Sequence, residues 1–216
     1  MGKSDIYEKK LTANIKLEKK ILQESKSKFI TSLYYAFRDQ QFLYFVMECA
    51  RGGDTYTLID EASPRLGDFK KGGEEAVRFL LGCLILGMEY LHSKNYVYRD
   101  LKPENVLIFE DGYAKLTDFG LAKEMHENEL AKTEAGTAIY YAPEMVMRKG
   151  YDRMVDIWAI GIYAYEMSNY SPPFSSADIK DRIKVKKVVK YCETKRNWRN
   201  PSISNELKDF INSILK

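Results

Sequence analysis

The first recurring pattern along the chain is an apolar stripe with the period of an α-helix. Residues 8–23 place Leu11, Ile15 and Leu22 on one face of a predicted helix. Glu18 comes three residues after Ile15 and four before Leu22, so it falls on the same apolar face. A carboxylate there needs a cationic partner, because burial of an unpaired charge costs several kcal/mol. The alternative is that Glu18 lies at the edge of the stripe and meets solvent.

The other apolar runs divide the chain into a strand-containing beginning and a mostly helical remainder. Residues 28–37 and 42–49 flank a short polar stretch and predict two strands joined by a tight turn. Residues 74–92 and 153–168 are apolar on most sides, which is typical of buried helices. Residues 206–216 predict an amphipathic helix. This order predicts an α+β fold, with a small β-containing lobe before a larger helical lobe.

A predicted β-hairpin occupies residues 105–118. The Asp-Gly dipeptide at 111–112 separates two apolar runs, and both of its residues tolerate the positive φ angles of a two-residue loop. A two-residue loop sets a register in which Asn105 lies opposite Asp118, with the two side chains on one face. Paired amide and carboxylate oxygens suit Mg²⁺. The alternative is that both side chains bond to the nearby backbone.

Composition excludes several classes of protein. The 216 residues are 45% hydrophobic and 30% charged, as in ordinary globular domains, and the net charge of +3 is too small to indicate nucleic-acid binding. Three widely spaced cysteines predict neither a zinc site nor a disulfide framework, and they favour a reducing cytoplasmic setting. The apolar run 76–91 contains charges and is too short to cross a bilayer, so no membrane insertion is expected.

One strongly basic segment, residues 179–199, has two interpretations. A solvated helix face is favoured over a lipid or nucleic-acid site. The segment lacks the interleaved aromatic residues that single-strand binding requires, so no nucleic-acid partner is predicted.

Chemistry-bearing residues cluster around the predicted hairpin. Asp100 and Lys102 stand in the loop that leads to Asn105, and Asp118 begins an Asp-Phe-Gly sequence. A carboxylate, an ammonium group and two oxygen ligands are the equipment for phosphoryl transfer. In that reaction a metal neutralises charge, Lys102 stabilises the transferring oxygens, and Asp100 accepts the proton of the attacking hydroxyl.

The sequences YRDLKPEN, DFG, APE and DIWAIG occur in this order, and together they resemble a eukaryotic protein kinase catalytic domain. The segments LHSKNYVYRDLKPENVLI and GYAKLTDFGLAK resemble the AGC group of serine/threonine kinases, in particular the cyclic-GMP-dependent branch. The resemblance covers essentially the whole chain. It implies a bilobal α+β fold in which residues 1–50 form part of the small lobe and residues 51–216 form the large lobe without its last helices.

Motif positions imply roles for individual residues. The resemblance makes Asp100 and Lys102 catalytic, and it makes Asn105 and Asp118 the ligands of Mg²⁺. The implied ATP-site residues are Met47, Glu48, Ala50, Asp54 and Leu107, together with Glu18 as partner of the lysine that anchors the phosphates. Met47 and Leu107 also fit plain core packing. Asp156 is expected to bond to the backbone of the Tyr-Arg-Asp segment, a structural role.

Regulation and substrate choice also follow from the resemblance. Thr133 takes the position that an upstream activating kinase phosphorylates, and its phosphate is expected to pair with Arg99. Thr137 matches the residue that contacts the catalytic aspartate and lysine. The acidic residues expected to bind basic residues of protein substrates are Asp54, Glu104 and Glu166. Three residues depart from the family pattern and leave the preference just after the phosphoacceptor open: Ala138, Ile139 and Tyr141.

Two expected elements are missing from the sequence. No G-x-G-x-x-G loop occurs, and no strand with a phosphate-anchoring lysine precedes Glu18. The resemblance therefore implies a kinase domain clipped at both ends. Two functions stay open: an ATP-dependent kinase, or a pseudokinase or regulatory fragment that acts as a protein-binding module.

Overall fold

The structure of the protein is a computed structural model. It describes residues 1–59, 66–173, 198, 200, 201 and 203–216, and for residues 66–72 it describes the backbone only. The first part contains two helices, α1 (Lys3–Glu8) and α2 (Thr12–Glu24). The single helix predicted over residues 8–23 is thus interrupted, because Lys10 adopts a left-handed backbone with φ 55°.

An antiparallel strand pair follows α2, as the sequence predicts. Strands β1 (Leu33–Arg38) and β2 (Leu43–Met47) pair with Phe37 opposite Tyr44, and these two rings stack with centroids 4.9 Å apart. One face of the pair is exposed, and the inner side contacts α2.

The strands further along are short and form two small antiparallel sheets. The first sheet has the order β3 (Gly53–Asp54), β5 (Val106–Ile108) and β6 (Ala114–Leu116). The second joins β4 (Tyr96–Val97) to β7 (Lys123–Glu124).

Helices form most of the remaining described chain. The helices are α3 (Thr55–Ile59), α4 (Leu66–Ser93), α5 (Pro143–Val146), α6 (Met154–Asn169) and α7 (Asn205–Ile214). Gly73, with φ 47° and ψ −123°, breaks α4. The core lies where α6 packs against both α4 and α7. The close approach of α7 to α6 requires a glycine at position 161, because a Cβ on Gly161 would lie 2.7 Å from Ile214. The predicted burial of α6 is confirmed, whereas α4 buries one face and leaves Phe79, Ile85 and Leu86 exposed.

One helix within the described ranges, Gly73–Ser93, is long and apolar enough to cross a membrane by length and composition alone. Core helices of soluble proteins pass the same test. Here the helix buries Leu84, Met88 and Leu91 in the central core. The basic run 179–199 lies outside the described residues, apart from Trp198.

The predicted hairpin forms, but the predicted register is wrong by one residue. Val106 pairs with Leu116, and the Thr117 N–H donates to the Asn105 carbonyl at 3.1 Å, so Asn105 lies opposite Thr117 and not opposite Asp118. The register differs because the loop has three residues and not two. Gly112 has φ 81°, and its N–H donates to the carbonyl of residue 109.

Helices and small antiparallel sheets therefore occur together, and the predicted α+β fold class is confirmed. The division into lobes at residue 50 stays a prediction.

Candidate active site

A buried carboxylate on α6 fixes the backbone that leads into the site. Asp156 is 1% exposed and accepts hydrogen bonds from the N–H groups of Tyr98 and Arg99, each at 2.8 Å. His92 Nε2 lies 2.8 Å from the same carboxylate. Arg99 has φ 67°, an unfavourable angle for a side-chain-bearing residue, and the two bonds hold it there. The predicted structural role of Asp156 is confirmed.

Three side chains hold the buried carboxylate of Asp100. Lys102 Nζ lies 3.0 Å from Asp100 Oδ2, and Asn105 Nδ2 donates to the same oxygen at 3.0 Å and to the Asp100 carbonyl at 2.9 Å. The Thr137 hydroxyl donates to Asp100 Oδ1 at 3.1 Å. The structure thus brings together four of the residues singled out from the sequence, and both oxygens of Asp100 have fixed partners.

The approach of Thr137 depends on the glycine before it. Gly136 has φ 97°, and a Cβ at this position would lie 2.1 Å from the carbonyl oxygen of Arg99. No larger residue fits there without moving one of the two segments. Gly136 therefore allows the loop that carries Thr137 to lie directly on the loop that carries Asp100.

Asp118 reaches the site by a backbone turn and not by strand pairing. It is exposed, has φ 55°, and its Oδ1 accepts the Gly120 N–H at 3.1 Å. The buried Tyr98 hydroxyl lies nearby: burial, then the charges of Asp100 and Asp118, raise the pKa of Tyr98 well above its usual range. The charges of both carboxylates therefore act on the same buried tyrosine.

The chemistry of the donor set fits a hard cation. The Asn105 amide nitrogen donates to Asp100, which leaves the amide oxygen as the atom that can bind a metal. The Asp118 carboxylate is an exposed oxygen ligand. Mg²⁺ prefers such ligands and needs only one or two of them from the protein.

Glu18 lies beside this turn on α2. Its Oε2 would lie 3.8 Å from a Cβ on Gly120. Burial, followed by the charge of Asp118, raises the pKa of Glu18 to about 7, and the polar backbone of Phe119 lowers it. Among the residues that the structure describes, Glu18 has no cationic partner within salt-bridge distance. The cation expected from the apolar stripe is therefore not found in these ranges.

The segment after β2 carries the residues expected to contact adenine. The Glu48 N–H donates to the Ser32 carbonyl at 3.0 Å and is therefore not available to a ligand. The Ala50 carbonyl accepts the Gly53 N–H at 3.3 Å. Met47, the last residue of β2, is partly buried and packs against the core, in agreement with the alternative prediction that this side chain serves core packing.

The Glu48 side chain forms a buried ion pair that sequence reasoning missed. Lys115 Nζ lies 2.7 Å from Glu48 Oε2, with side chains 9% and 13% exposed, and the Ser32 N–H donates to Glu48 Oε1 at 2.6 Å. Lys115 stands between two buried apolar residues of β6 in an alternating pattern, so the sequence favours an outward position. Only the tertiary structure reveals its partner.

The three acidic residues expected to bind a basic substrate differ in their surroundings. Glu104 is exposed, while Glu166 on α6 is buried and accepts a hydrogen bond from the Tyr140 hydroxyl. Burial raises the pKa of Glu166 to about 7, the Tyr140 bond lowers it, and the charge of Glu104 raises it. Asp54 instead caps α3, accepting the Thr57 N–H at 2.7 Å. Asp54 also pairs with Leu107 across β3 and β5.

Thr133 is exposed and lies next to the arginine expected to bind its phosphate. Arg99 Nη1 donates to the Thr133 hydroxyl at 3.3 Å and to the Tyr151 hydroxyl at 3.0 Å. The Tyr151 hydroxyl donates to the Thr133 carbonyl at 2.6 Å. Tyr151 and Tyr140 are further residues that sequence reasoning missed, because no spacing pattern links either one to its partner.

Comparisons with known proteins identify the family of the chain. The protein kinase domain family matches the chain over residues 1–216. A cGMP-dependent protein kinase of Drosophila melanogaster, isozyme 1, is 40% identical over 82% of this chain. The cGMP-dependent protein kinase 2 of Rattus norvegicus is 38% identical over the same share, and the matched segment covers 22% of each relative. The chain thus spans about a fifth of the length of these relatives. It belongs to the protein kinase domain family and is similar to cGMP-dependent protein kinases.

Proposed function

We propose that the chain transfers the γ-phosphoryl group of ATP, in a Mg²⁺-dependent reaction, to serine or threonine hydroxyls of protein substrates. The observation that carries the proposal is the Asp100 carboxylate, which Lys102, Asn105 and Thr137 hold from separate directions. Phosphoryl transfer depends mostly on positioning and electrostatic stabilisation. The Asp100 carboxylate, with its fixed partners, positions the substrate hydroxyl, and the Lys102 ammonium supplies electrostatic stabilisation.

Each polar group has one role in this proposal. Asp100 orients the substrate hydroxyl and accepts its proton, and Lys102 stabilises charge on the transferring oxygens. Asn105 and Asp118 hold Mg²⁺, which neutralises phosphate charge when bound. Thr137 keeps the Asp100 carboxylate in one orientation through its 3.1 Å hydrogen bond.

The nucleotide base lies against the segment that follows β2. The Glu48 carbonyl and the Ala50 N–H bond to adenine, and Met47 and Leu107 supply apolar contacts. Asp54 lies beside the ribose. The observation in support is that the Glu48 N–H already has a partner in Ser32, which leaves the carbonyl as the backbone group of Glu48 that can bond to adenine. Glu18 belongs to the phosphate end of this site, next to Asp118.

Substrates carry basic residues near the phosphoacceptor. Glu104 and Glu166 lie close enough for the charge of Glu104 to raise the pKa of Glu166, and Asp54 adds a third carboxylate. A guanidinium group between Glu104 and Glu166 relieves that repulsion. We propose that the protein acts on such proteins in the cytoplasm.

An upstream kinase activates the protein by phosphorylating Thr133. The hydroxyl is exposed, and the Arg99 guanidinium already lies 3.3 Å from it. A phosphate adds about −1.5 to −2 charges and forms charge-assisted hydrogen bonds with an arginine. Arg99 precedes Asp100, so a bond at Thr133 stabilises the loop that carries the catalytic carboxylate.

The test is a kinase assay on the full chain with Mg²⁺, ATP and a serine peptide that has arginines before the serine. We expect phosphate transfer that depends on Mg²⁺ and is lost in Asp100→Asn. A matched peptide with alanines in place of the arginines should have a higher KM. Transfer by Asp100→Asn at the rate of the unmodified protein would refute the role of the carboxylate.

A second candidate function is a catalytically impaired regulatory module that binds protein partners. The observation that favours it is the lack of a cation near Glu18 in the described part of the chain, since phosphate anchoring needs one. A thermal-shift measurement with ATP and Mg²⁺ separates the two functions. A kinase should be stabilised by MgATP, and Asp118→Asn should remove that effect. Equal melting temperatures with and without MgATP favour the regulatory module.

A further inference from the structure

Helix α2 contacts the turn that carries Asp118 through a second side chain. The Asn14 amide nitrogen donates a hydrogen bond to the carbonyl oxygen of Gly120 at 2.9 Å, and Asn14 is half-buried. An asparagine near the start of a helix often bonds to its own helix backbone. Here the amide instead reaches a residue more than a hundred positions further along the chain.

Asn14 and Glu18 lie one turn apart on α2 and therefore on the same face. The Asn14 amide donates to the Gly120 carbonyl, and Glu18 Oε2 would lie 3.8 Å from a Cβ on Gly120. The helix thus places two polar side chains against a single turn. The hydrogen bond from Asn14 fixes the direction of the Gly120 carbonyl.

Gly120 links this contact to the Asp118 carboxylate. Its N–H donates to Asp118 Oδ1 at 3.1 Å, and its carbonyl is the group that Asn14 holds. A Cβ on Gly120 would lie 3.2 Å from Asp118 Oδ1 and 3.8 Å from Glu18 Oε2, so the glycine stands between the two carboxylates. Rotation of residue 120 away from α2 would also turn its N–H away from Asp118.

Asp118 needs such external support. It is exposed, and its φ of 55° is unfavourable for a residue with a side chain. Its neighbour Phe119 is fully buried against Tyr98, which anchors the ring but leaves the backbone of residue 120 to be fixed by other contacts.

We propose that Asn14 is a positioning residue for cation binding. It holds the Gly120 carbonyl, keeps the Gly120 N–H on Asp118, and thereby orients the Asp118 carboxylate towards the metal. Loss of the Asn14 amide should therefore weaken Mg²⁺ binding. The inference rests on the proposed function of Asp118 as a Mg²⁺ ligand.

Two substitutions test the proposal. Asn14→Ala removes the amide, and Asn14→Asp keeps the size of the side chain but places an acceptor against the Gly120 carbonyl. Lys16→Ala is the matched control, because Lys16 is exposed on the same helix and, among the described residues, forms no side-chain hydrogen bond or ion pair with the turn. Circular dichroism shows whether each variant folds.

The first readout is hydrogen exchange of residues 119–122 without nucleotide. Loss of one hydrogen bond should speed exchange there by about 2- to 10-fold in Asn14→Ala, and by more in Asn14→Asp. Exchange in α6 should stay unchanged. Exchange at 119–122 equal to that of Lys16→Ala would overturn the proposal, whether or not the protein binds nucleotide.

The second readout is the Mg²⁺ concentration that gives half-maximal binding of a non-hydrolysable ATP analogue. We expect this midpoint to rise about 3- to 10-fold in both Asn14 variants and to be unchanged in Lys16→Ala. Faster exchange with an unchanged midpoint would overturn the coupling to metal affinity. If the unmodified protein shows no Mg²⁺-dependent binding, the proposed function of Asp118 fails, and the exchange measurement still decides whether Asn14 fixes the turn.

Discussion

The Tyr140 hydroxyl donates a hydrogen bond to the buried carboxylate of Glu166. Burial raises the pKa of Glu166 from 4.5 to about 7, and it raises the pKa of Tyr140 far above the usual range. Glu166 is one of the residues proposed to bind a basic substrate, so its protonation state affects both stability and recognition.

The stability of the protein should fall between about pH 4.5 and pH 7 because of Glu166. In that range the folded state holds a proton on Glu166 that the unfolded state has lost, so rising pH favours unfolding. The full effect is at most about 3 kcal/mol. Urea unfolding at pH 5 and pH 8, compared between the protein and Glu166→Gln, measures it.

The Gln variant should lose less stability over this interval, because an amide does not ionise. The comparison cancels the contributions of other titrating groups. Equal pH dependence in the two proteins would mean that Glu166 titrates at its ordinary pKa.

Gly136→Ala should destabilise the protein and separate Thr137 from Asp100. The new Cβ would lie 2.1 Å from the Arg99 carbonyl oxygen, and φ 97° is unfavourable for alanine. We expect a loss of roughly 2 to 4 kcal/mol in the free energy of unfolding, from backbone strain and overpacking together.

Gly112→Ala is the matched control for this change. Gly112 has φ 81°, but a Cβ there meets nothing within 4 Å, so only backbone strain of about 1 kcal/mol is expected. Chemical denaturation of both variants gives the comparison. Similar losses in the two would contradict the steric role of Gly136.

Asp156→Ala should be among the most destabilising substitutions in the helical part of the chain. It leaves the N–H groups of Tyr98 and Arg99 without their buried acceptor. The expected loss is roughly 3 to 5 kcal/mol. Asp152→Ala, which removes an exposed carboxylate that accepts the Met154 N–H, should cost about 1 kcal/mol. If the two variants unfold at the same urea concentration, the buried carboxylate does not hold the loop.

The sequence predicts several of these features for definite physical reasons. The α6 helix is apolar on most sides, so its burial follows from composition. The turn at Gly112 follows from an Asp-Gly dipeptide, but its register does not, because loops of two and three residues fit the same dipeptide. Asn14 gives no signal at all, since its partner is distant in sequence and is a backbone carbonyl. The alternating pattern of β6 likewise places Lys115 on the exposed side of the strand, whereas its side chain is buried in an ion pair with Glu48.

Thr133→Ala should lower kinase activity after treatment with an activating kinase. The loss of a phosphate that pairs with Arg99 removes charge-assisted bonds from the loop before Asp100, and a decrease on the order of ten-fold is expected. Phosphatase treatment of the unmodified protein should give the same decrease. Thr12→Ala, which changes an exposed threonine of α2, serves as the control.

Full activity of Thr133→Ala would show that the threonine is not a switch. Mass spectrometry that locates phosphate elsewhere in the activated protein would lead to the same conclusion.

The buried pair of Glu48 and Lys115 limits how the part of the chain before it can rotate against the rest. Glu48 is fixed to β6 by a 2.7 Å ion pair, and breaking such a pair costs roughly 3 to 5 kcal/mol. On the other side, the Gly52 N–H bonds to the Ile108 carbonyl at 3.0 Å. Only residues 49–51 therefore lie between two points that are anchored to the neighbouring strands β6 and β5, which restricts the path that this short connection can take.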